Sequence, residues 1–391
     1  TGTEKDVKLF DYLSGYTWNN GNAVLDGELV TGLNQRGLPI TNLSWTKNTT
    51  SNIGFDLTMF NNRLKITADA FRKDITGVPA ARYDVLLPSE VGYSLPNENL
   101  NKQAYIGAEG MVTWTDHIGD LNYTVSGNFT FSRYKSIETY KPRFNNSWDE
   151  YRNSAEGRWG GIYWGYQVIG QFQSEEEIRN YPVNLDGNNN RTLLPGDFIY
   201  KDVNGDGIIN GMDERPIGYP EGWAPIMSFG GNIGLAWKGI DLNIDLSGGA
   251  MQGWRQNYEL ANAYHGNGNS PVYLLEDRWH RADLYDPESE WMPGRYPAIR
   301  KGEFSYNNKN SDFWLHNVRY LRIKNLEVGY SLPAQLLRPI RAQKVRVYAN
   351  VSNLCSFDNV GKFGVDPEIT AAAAVVYPQQ RTFLLGFNIT Y

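Results

Sequence analysis

Twelve residues near the middle of the chain place side-chain oxygens at metal-binding intervals: Asp202-Val203-Asn204-Gly205-Asp206-Gly207-Ile208-Ile209-Asn210-Gly211-Met212-Asp213. Oxygens at alternate positions can converge on one hard cation, and a carboxylate at the twelfth position closes the shell. Asp202, Asn204 and Asp206 supply the first three groups. Gly207 permits the sharp turn, the Ile208 carbonyl offers a backbone oxygen, and Asn210 acts directly or through water. Asp213 stands where glutamate is usual, and its shorter reach makes bidentate closure harder and opens the site to magnesium as well as calcium. The flanks are not helical in pattern; Phe198-Ile199-Tyr200 looks extended. The competing reading is an Asx-turn loop that needs no metal. The expectation is a divalent cation, calcium first, that pins a long loop and takes no part in catalysis.

Other chemistry is sparse. His117, His265, His280 and His316 are scattered with no HExxH spacing, and no GxSxG, phosphate-binding loop or Ser/His/Asp order is apparent. A single cysteine, Cys355, excludes an internal disulfide and a cysteine-based zinc site. Gly230-Gly231 and Gly248-Gly249 sit inside strand patterns and read as places of close packing. Paired loop carboxylates such as Asp283 and Asp286 are the candidates of a rival reading, an enzyme with a loop-borne hydrolytic site, and nothing in the sequence fixes their geometry. Loop aromatics are abundant: Trp148, Trp159, Trp164, Tyr166, Trp254, Trp279 and Trp291, with Arg295 nearby. Their faces could stack on sugar rings or pack against a peptide or partner protein; the alternative is that they build small cores holding the loops. Ser174 with Glu177 three residues on forms a capping box, so a short surface helix is expected over 174–180.

The elements that must position these loops are strands. Read back from the end, Tyr391, Ile389, Phe387, Leu385 and Phe383 alternate with Thr390, Asn388, Gly386 and Thr382, with Leu384 the one break. An alternating strand ending on an aromatic residue is how outer-membrane barrels finish, so these five apolar residues are expected to face lipid. The same period of two recurs in nine segments. They are Ile53–Met59, Leu64–Ala70, Tyr105–Trp114, Leu121–Phe131, Met227–Trp237, Ile240–Gly248, Val318–Tyr330, Val345–Val351 and the terminal strand. In the seventh, Leu321 and Ile323 are out of phase with Leu326, Val328 and Tyr330, which calls for a bulge near Asn325. Connections are short after odd strands and long after even ones (75–103, 135–226, 249–317 and 354–381), the asymmetry of periplasmic turns and extracellular loops. Phe60, Trp114, Trp237, Tyr330 and Tyr391 then fall at the periplasmic strand ends as an aromatic girdle.

Composition agrees. The chain has 391 residues with 40 Gly, 25 Tyr and 12 Trp, and carries a net charge of -6; its mean hydropathy is -0.51. No window approaches the ~20 apolar residues of a spanning helix; the Ala371–Tyr377 run is too short. The acidic balance argues against nucleic acid as a partner. Thr1–Asp6 has neither a basic start nor an apolar core, so no signal peptide is read there. Residues 1–50 read as a loop entering the first strand from outside, and nine strands is an odd count, so the remaining strands are expected upstream. The fold class is all-β: the C-terminal part of a large antiparallel transmembrane β-barrel, spanning 1–391.

Several segments in order resemble the C-terminal half of the SusC/RagA family of TonB-dependent outer-membrane transporters. They are Thr49-Thr50-Ser51-Asn52-Ile53-Gly54 running into Phe60-Asn61-Asn62-Arg63-Leu64; Gly165-Tyr166 with Gly170-Gln171-Phe172-Gln173; and Gly196-Asp197 leading to the Asp202 loop. Tyr320-Leu321-Arg322-Ile323-Lys324-Asn325-Leu326 and Val365-Asp366-Pro367-Glu368 complete the set. The resemblance implies a barrel of roughly 22 strands with a plugged lumen, in the outer membrane of a Gram-negative bacterium of Bacteroidetes type. It implies import of a nutrient, oligosaccharide or peptide, without enzymatic activity. It also implies a SusD-like surface lipoprotein as a lid, and admits a dimer of transporter–lipoprotein pairs. The plug and the TonB-contacting segment belong to the N-terminal part, which this chain lacks. An anchor role for Trp279, Trp291 and Arg295 against the lid is expected. The remaining rival is an adhesin or structural barrel without transport.

Overall fold

A computed structural model describes residues 2–3, 12–35, 37–40, 42, 44–82, 84–222, 224–300, 304–340, 342–368 and 379–391. The Ala371–Tyr377 run lies outside the described residues, as does most of Thr1–Asp6. Nine long strands follow one another: β1 (Thr46–Met59), β2 (Leu64–Ala80), β3 (Glu98–Ile118), β4 (Leu121–Glu138), β5 (Met227–Trp237), β6 (Ile240–Arg255), β7 (Leu315–Ser331), β8 (Lys344–Asp358) and β9 (Thr382–Thr390). They lie in one sheet in chain order, with the two-residue strand Gly2–Thr3 paired to the start of β1. β2, β3, β4, β6 and β7 run 16 to 21 residues. A tilted spanning strand needs only about 9–11, so each is long enough to continue beyond the hydrocarbon.

The chain divides into two compact units, residues 1–54, 69–108 and 132–160 in one and 55–68, 109–131 and 161–391 in the other. In the first, residues expected to be irregular form a hairpin, Tyr16–Leu25 against Glu28–Gln35. Its turn is Asp26-Gly27 with φ of 52° and 84°, the Asp-Gly pair that hairpin turns favour. The reading of 1–50 as loop overlooked that turn chemistry.

In the second unit β4, β5, β6, β7, β8 and β9 pair antiparallel, and apart from Leu384, which falls opposite Asn350 on the polar face, the strands separate apolar from polar residues. One face carries Val125, Phe129, Phe229, Ile233, Leu242, Ile244, Val328, Val347, Leu385 and Phe387. The other carries Thr124, Ser126, Asn232, Asn243, Asp245, Asn325, Glu327, Arg346, Asn350 and Asn388. The bulge in β7 is present: Ile323 pairs with Leu246 and Asn325 with Asp245, which leaves Lys324 as the extra residue. It restores the phase of the apolar face across the slip. The tight turn at Lys238-Gly239 (φ 47° and 88°) joins β5 to β6. A Cβ on Gly239 would sit 2.9 Å from the Ser331 carbonyl, so glycine is required there.

Both glycine pairs are close-packing sites. The Phe229 ring lies where a Cβ of Gly248 would be, and Pro225 occupies the space above Gly249. Of the expected girdle, Phe60 meets Trp114 in a tilted contact with ring centroids 5.9 Å apart, and Trp237, Tyr330 and Tyr391 are exposed.

Candidate functional site

The loops after β4 and β6 share one apolar core inside the second unit. Val168–Gln171 pairs with Phe198–Tyr200, and Tyr163–Gly165 with Arg215–Gly218. Phe172, Leu185, Phe198, Tyr200, Tyr306 and Trp314 are buried between them. Glycine allows the close approaches. A Cβ on Gly165 would meet the Asn310 carbonyl at 2.4 Å, and one on Gly196 (φ +91°) would meet Trp279 at 2.2 Å.

Beside Gly196, the buried Asp197 accepts from Asn307 Nδ2 at 2.7 Å and from the Leu194 N–H at 2.8 Å, and it pairs with Arg300. Burial pushes its carboxyl up, opposed by the guanidinium. Arg300 also donates to the Thr192 carbonyl at 2.7 Å and lies 3.9 Å over Phe304. The Tyr200 hydroxyl donates to the Tyr306 carbonyl at 2.8 Å, and the Tyr306 hydroxyl to the Phe198 carbonyl at 2.6 Å. Lys309 Nζ sits 5.0–5.3 Å from the rings of Tyr166, Tyr200 and Tyr306. Burial lowers its pKa. Asp197, Arg300, Tyr200 and Tyr306 thereby hold the loops together from inside the core.

The Asp202–Asp213 loop has the expected backbone, with Gly205 and Gly207 at φ of 75° and 78°. Asp202 accepts from the N–H groups of Gly205 (2.7 Å) and Gly207 (2.8 Å), and Asp206 from Ile208 (2.9 Å). Asp213 is fully buried and accepts from Val203 and Asn210, both at 2.9 Å. Among the described residues, no three His, Cys, Asp or Glu side chains converge as a metal cluster. Each carboxylate oxygen that accepts one N–H still has a second lone pair. Asp202, Asn204 and Asp206 each accept a backbone N–H within the turn, Asn204 Nδ2 donates to Asp206 at 2.9 Å, and Asp213 holds the loop from behind. Asn210 caps the turn by accepting from Met212 at 2.8 Å.

Burial sorts the aromatic candidates. Trp254 and Trp279 are each 4% exposed. Trp254 stacks on His316 and Trp279 covers Gly196, so both are loop-core residues and drop out of the surface contacts expected of them. Tyr166 packs on Tyr200 and Lys309. Trp291 lies under Arg281 at 4.4 Å. Trp148 packs at a tilt against Tyr151, Trp159 sits beneath Arg133 and Lys135, and Trp164 lies in the Tyr163–Gly165 strand; all three are half-buried. Arg295 is exposed. The helix at Glu175–Asn180 forms where expected. Ser174 accepts from Glu177 N at 3.1 Å, while the Glu177 carboxylate reaches back to Gln173 N, one residue short of the full capping box. Asp283 and Asp286 are exposed and accept from the N–H groups of Tyr285 and Glu288 at the tip of one hairpin.

No family model matches the chain. A TonB-dependent receptor of Formosa agariphila is 25% identical over 398 residues, covering 94% of this chain and 36% of that protein. TonB-dependent receptor SusC of Bacteroides thetaiotaomicron is 25% identical over 415 residues, covering 100% of this chain and 36% of that protein. The chain is related to the SusC-like TonB-dependent receptors. It spans just over a third of the length of these relatives. The RagAB peptide importer in its open-open state superposes with a TM-score of 0.68 at 19% identity, covering 100% of this chain and 39% of that one. The shared fold is that of a TonB-dependent barrel, and the antiparallel sheet here is part of such a wall, not a closed barrel.

Two of the sequence pieces that carry this relationship meet in space, a contact not anticipated from the sequence. Arg322 on β7 donates to Asp366 at 2.6 Å and to Glu368 at 3.1 Å, and Lys324 to Glu368 at 2.7 Å. The two cations lie either side of Ile323, and the extra residue at the bulge is Lys324 itself. The start of the loop after β8 is thereby tied down on the polar face. Arg-x-Lys and Asp-x-Glu are each readable in the sequence, but nothing local to either says that they pair. Further along that face Arg346 crosses Gly329 to reach Asp241 and also pairs with Glu327 at 2.7 Å. A Cβ at Gly329 would occupy the guanidinium's place. Asn350, Asn325, Asp245, Asn243 and Asn232 continue the network strand to strand.

Proposed function

We propose that this chain forms part of the wall and the extracellular loops of a TonB-dependent importer in the outer membrane of a Gram-negative bacterium of Bacteroidetes type. The observation that carries the reading is the two-faced sheet. Its apolar face suits lipid, and its hydrogen-bonded polar face suits the interior of a barrel. In this reading a plug, the TonB contact and the remaining strands come from sequence outside this chain. That division fits a chain covering 36% of the SusC relative.

The substrate class we infer is an oligosaccharide or a peptide, captured under a SusD-like surface lipoprotein, with two such pairs forming a dimer. The curated relative named SusC and the RagAB peptide importer support the two-component kind of assembly. The loop at Asp202–Asp213 takes a structural divalent cation, calcium or magnesium, through Asp202, Asn204, Asp206 and the Ile208 carbonyl. The test is uptake by cells expressing the full-length receptor from its native locus. Growth on an oligosaccharide or peptide source should vanish when the receptor is deleted and when TonB is inactivated. Unchanged uptake in either strain overturns the importer reading. Elemental analysis of protein purified without chelator, native against Asp206→Ala, tests the cation; equal metal content in both refutes it.

A further inference from the structure

The hairpin closed by His280–Arg281 against Trp291–Met292 presents Tyr285, 97% exposed, next to Leu284 at 68%. Single exposed apolar residues are ordinary. Here the difference is how firmly the tip is held. Ala282 N donates to the Glu290 carbonyl at 2.9 Å. The Ser289 hydroxyl spans the Asp283 and Asp286 carbonyls at 3.0 and 2.8 Å, and the two aspartates cap the N–H groups of Tyr285 and Glu288 at 2.9 Å. At the base Arg281 donates to the Ser289 carbonyl at 2.6 Å and to Glu175 at 2.9 Å, and it lies over Trp291. A rigid aromatic side chain held out in water loses little entropy when it docks. Asp283, Asp286, Glu288 and Glu290 surround it, all exposed. Four carboxylates repel an anionic lipid surface and favour a cationic one.

We propose that the Leu284–Tyr285 tip is an interaction knob that inserts into an apolar recess rimmed by basic residues on a protein partner. Resting on the importer reading above, that partner is the surface lipoprotein, and the anchor is this tip, not the buried Trp279. Affinity concentrates in a few rigid aromatic contacts, and the acidic rim sets the rate of encounter.

The experiment uses the full-length receptor purified from outer membranes with its lipoprotein. Leu284→Ala with Tyr285→Ala should weaken the complex by about 30-fold or more, the loss typical of removing an interface anchor. Asp286→Lys with Glu288→Lys takes the four-carboxylate rim to no net charge, so it should slow association and largely remove its dependence on salt. A photo-crosslinking amino acid at position 285 should label the lipoprotein. Wild-type receptor that binds lipoprotein, with both variants binding equally well, overturns this inference and leaves the importer reading standing. Wild-type receptor that reproducibly carries no lipoprotein overturns the lid and the knob together. Crosslinks to lipid alone also overturn the knob.

Discussion

Placing a single arginine on one or the other face of β9 tests the two-faced sheet directly. Phe387 is 69% exposed on the apolar face and pairs with Val347. It lies four residues before Tyr391. At roughly 3.3 Å per residue and a tilt near 40° it sits about 10 Å below that aromatic, close to the middle of an apolar band about 25 Å tall. Phe387→Arg should therefore cost about 2–4 kcal/mol, or roughly 30- to 900-fold in the assembled fraction. Asn388 is on the polar face opposite Arg346. A second guanidinium there meets one cation, but Arg346 is already offset by Asp241 and Glu327. The cluster is net negative by one charge, so Asn388→Arg should cost under about 1 kcal/mol, the scale of a cross-strand pair. The assay is the folded fraction of full-length receptor in outer membranes, read by its resistance to unfolding in detergent without heating. Equal impairment by Phe387→Arg and Asn388→Arg would refute the face assignment.

Asp213→Ala removes the acceptor of the half-buried N–H groups of Val203 and Asn210, so opening of the Asp202–Asp213 loop should become easier by about 1–3 kcal/mol. Hydrogen exchange across 202–213 measures it, and unchanged protection would show that Asp213 does not hold the loop. Arg322→Ala leaves Asp366 without its partner in a largely buried setting, which should cost about 3–5 kcal/mol locally. Faster exchange over 359–368 with the strands unaffected is the expected result. Tyr163 and Tyr166 are pushed up to about 12 by burial. A raised folded-state pKa stabilises the neutral form, so this contribution is complete below about pH 10 and is lost as pH rises through about 12. Tyrosinate absorbance from these two should appear only as pH approaches about 12; its loss when both are changed to Phe identifies it, and ionisation near pH 10 would contradict their burial.

The sequence alone determined the nine strands, their faces and their alternation of short and long connections. A period of two is a local property: each residue's side of the pleat follows from its neighbours in sequence. The phase slip between Ile323 and Leu326 was legible for the same reason, and the structure puts the extra residue one position away, at Lys324. The hairpin at Tyr16–Gln35 was missed, although its Asp26-Gly27 turn was available to read. What the loops do with their side chains was not legible. Trp254, Trp279 and Trp291 look alike in sequence, yet the first two are core and the third props Arg281, because burial depends on segments far away along the chain. Arg322 and Asp366, 44 residues apart, and Arg346 and Asp241, 105 apart, carry no local sign of pairing. The register of β6, β7 and β8 brings Arg346 to Asp241, the loop after β8 brings Asp366 to Arg322, and only Gly329 leaves Arg346 the room to cross.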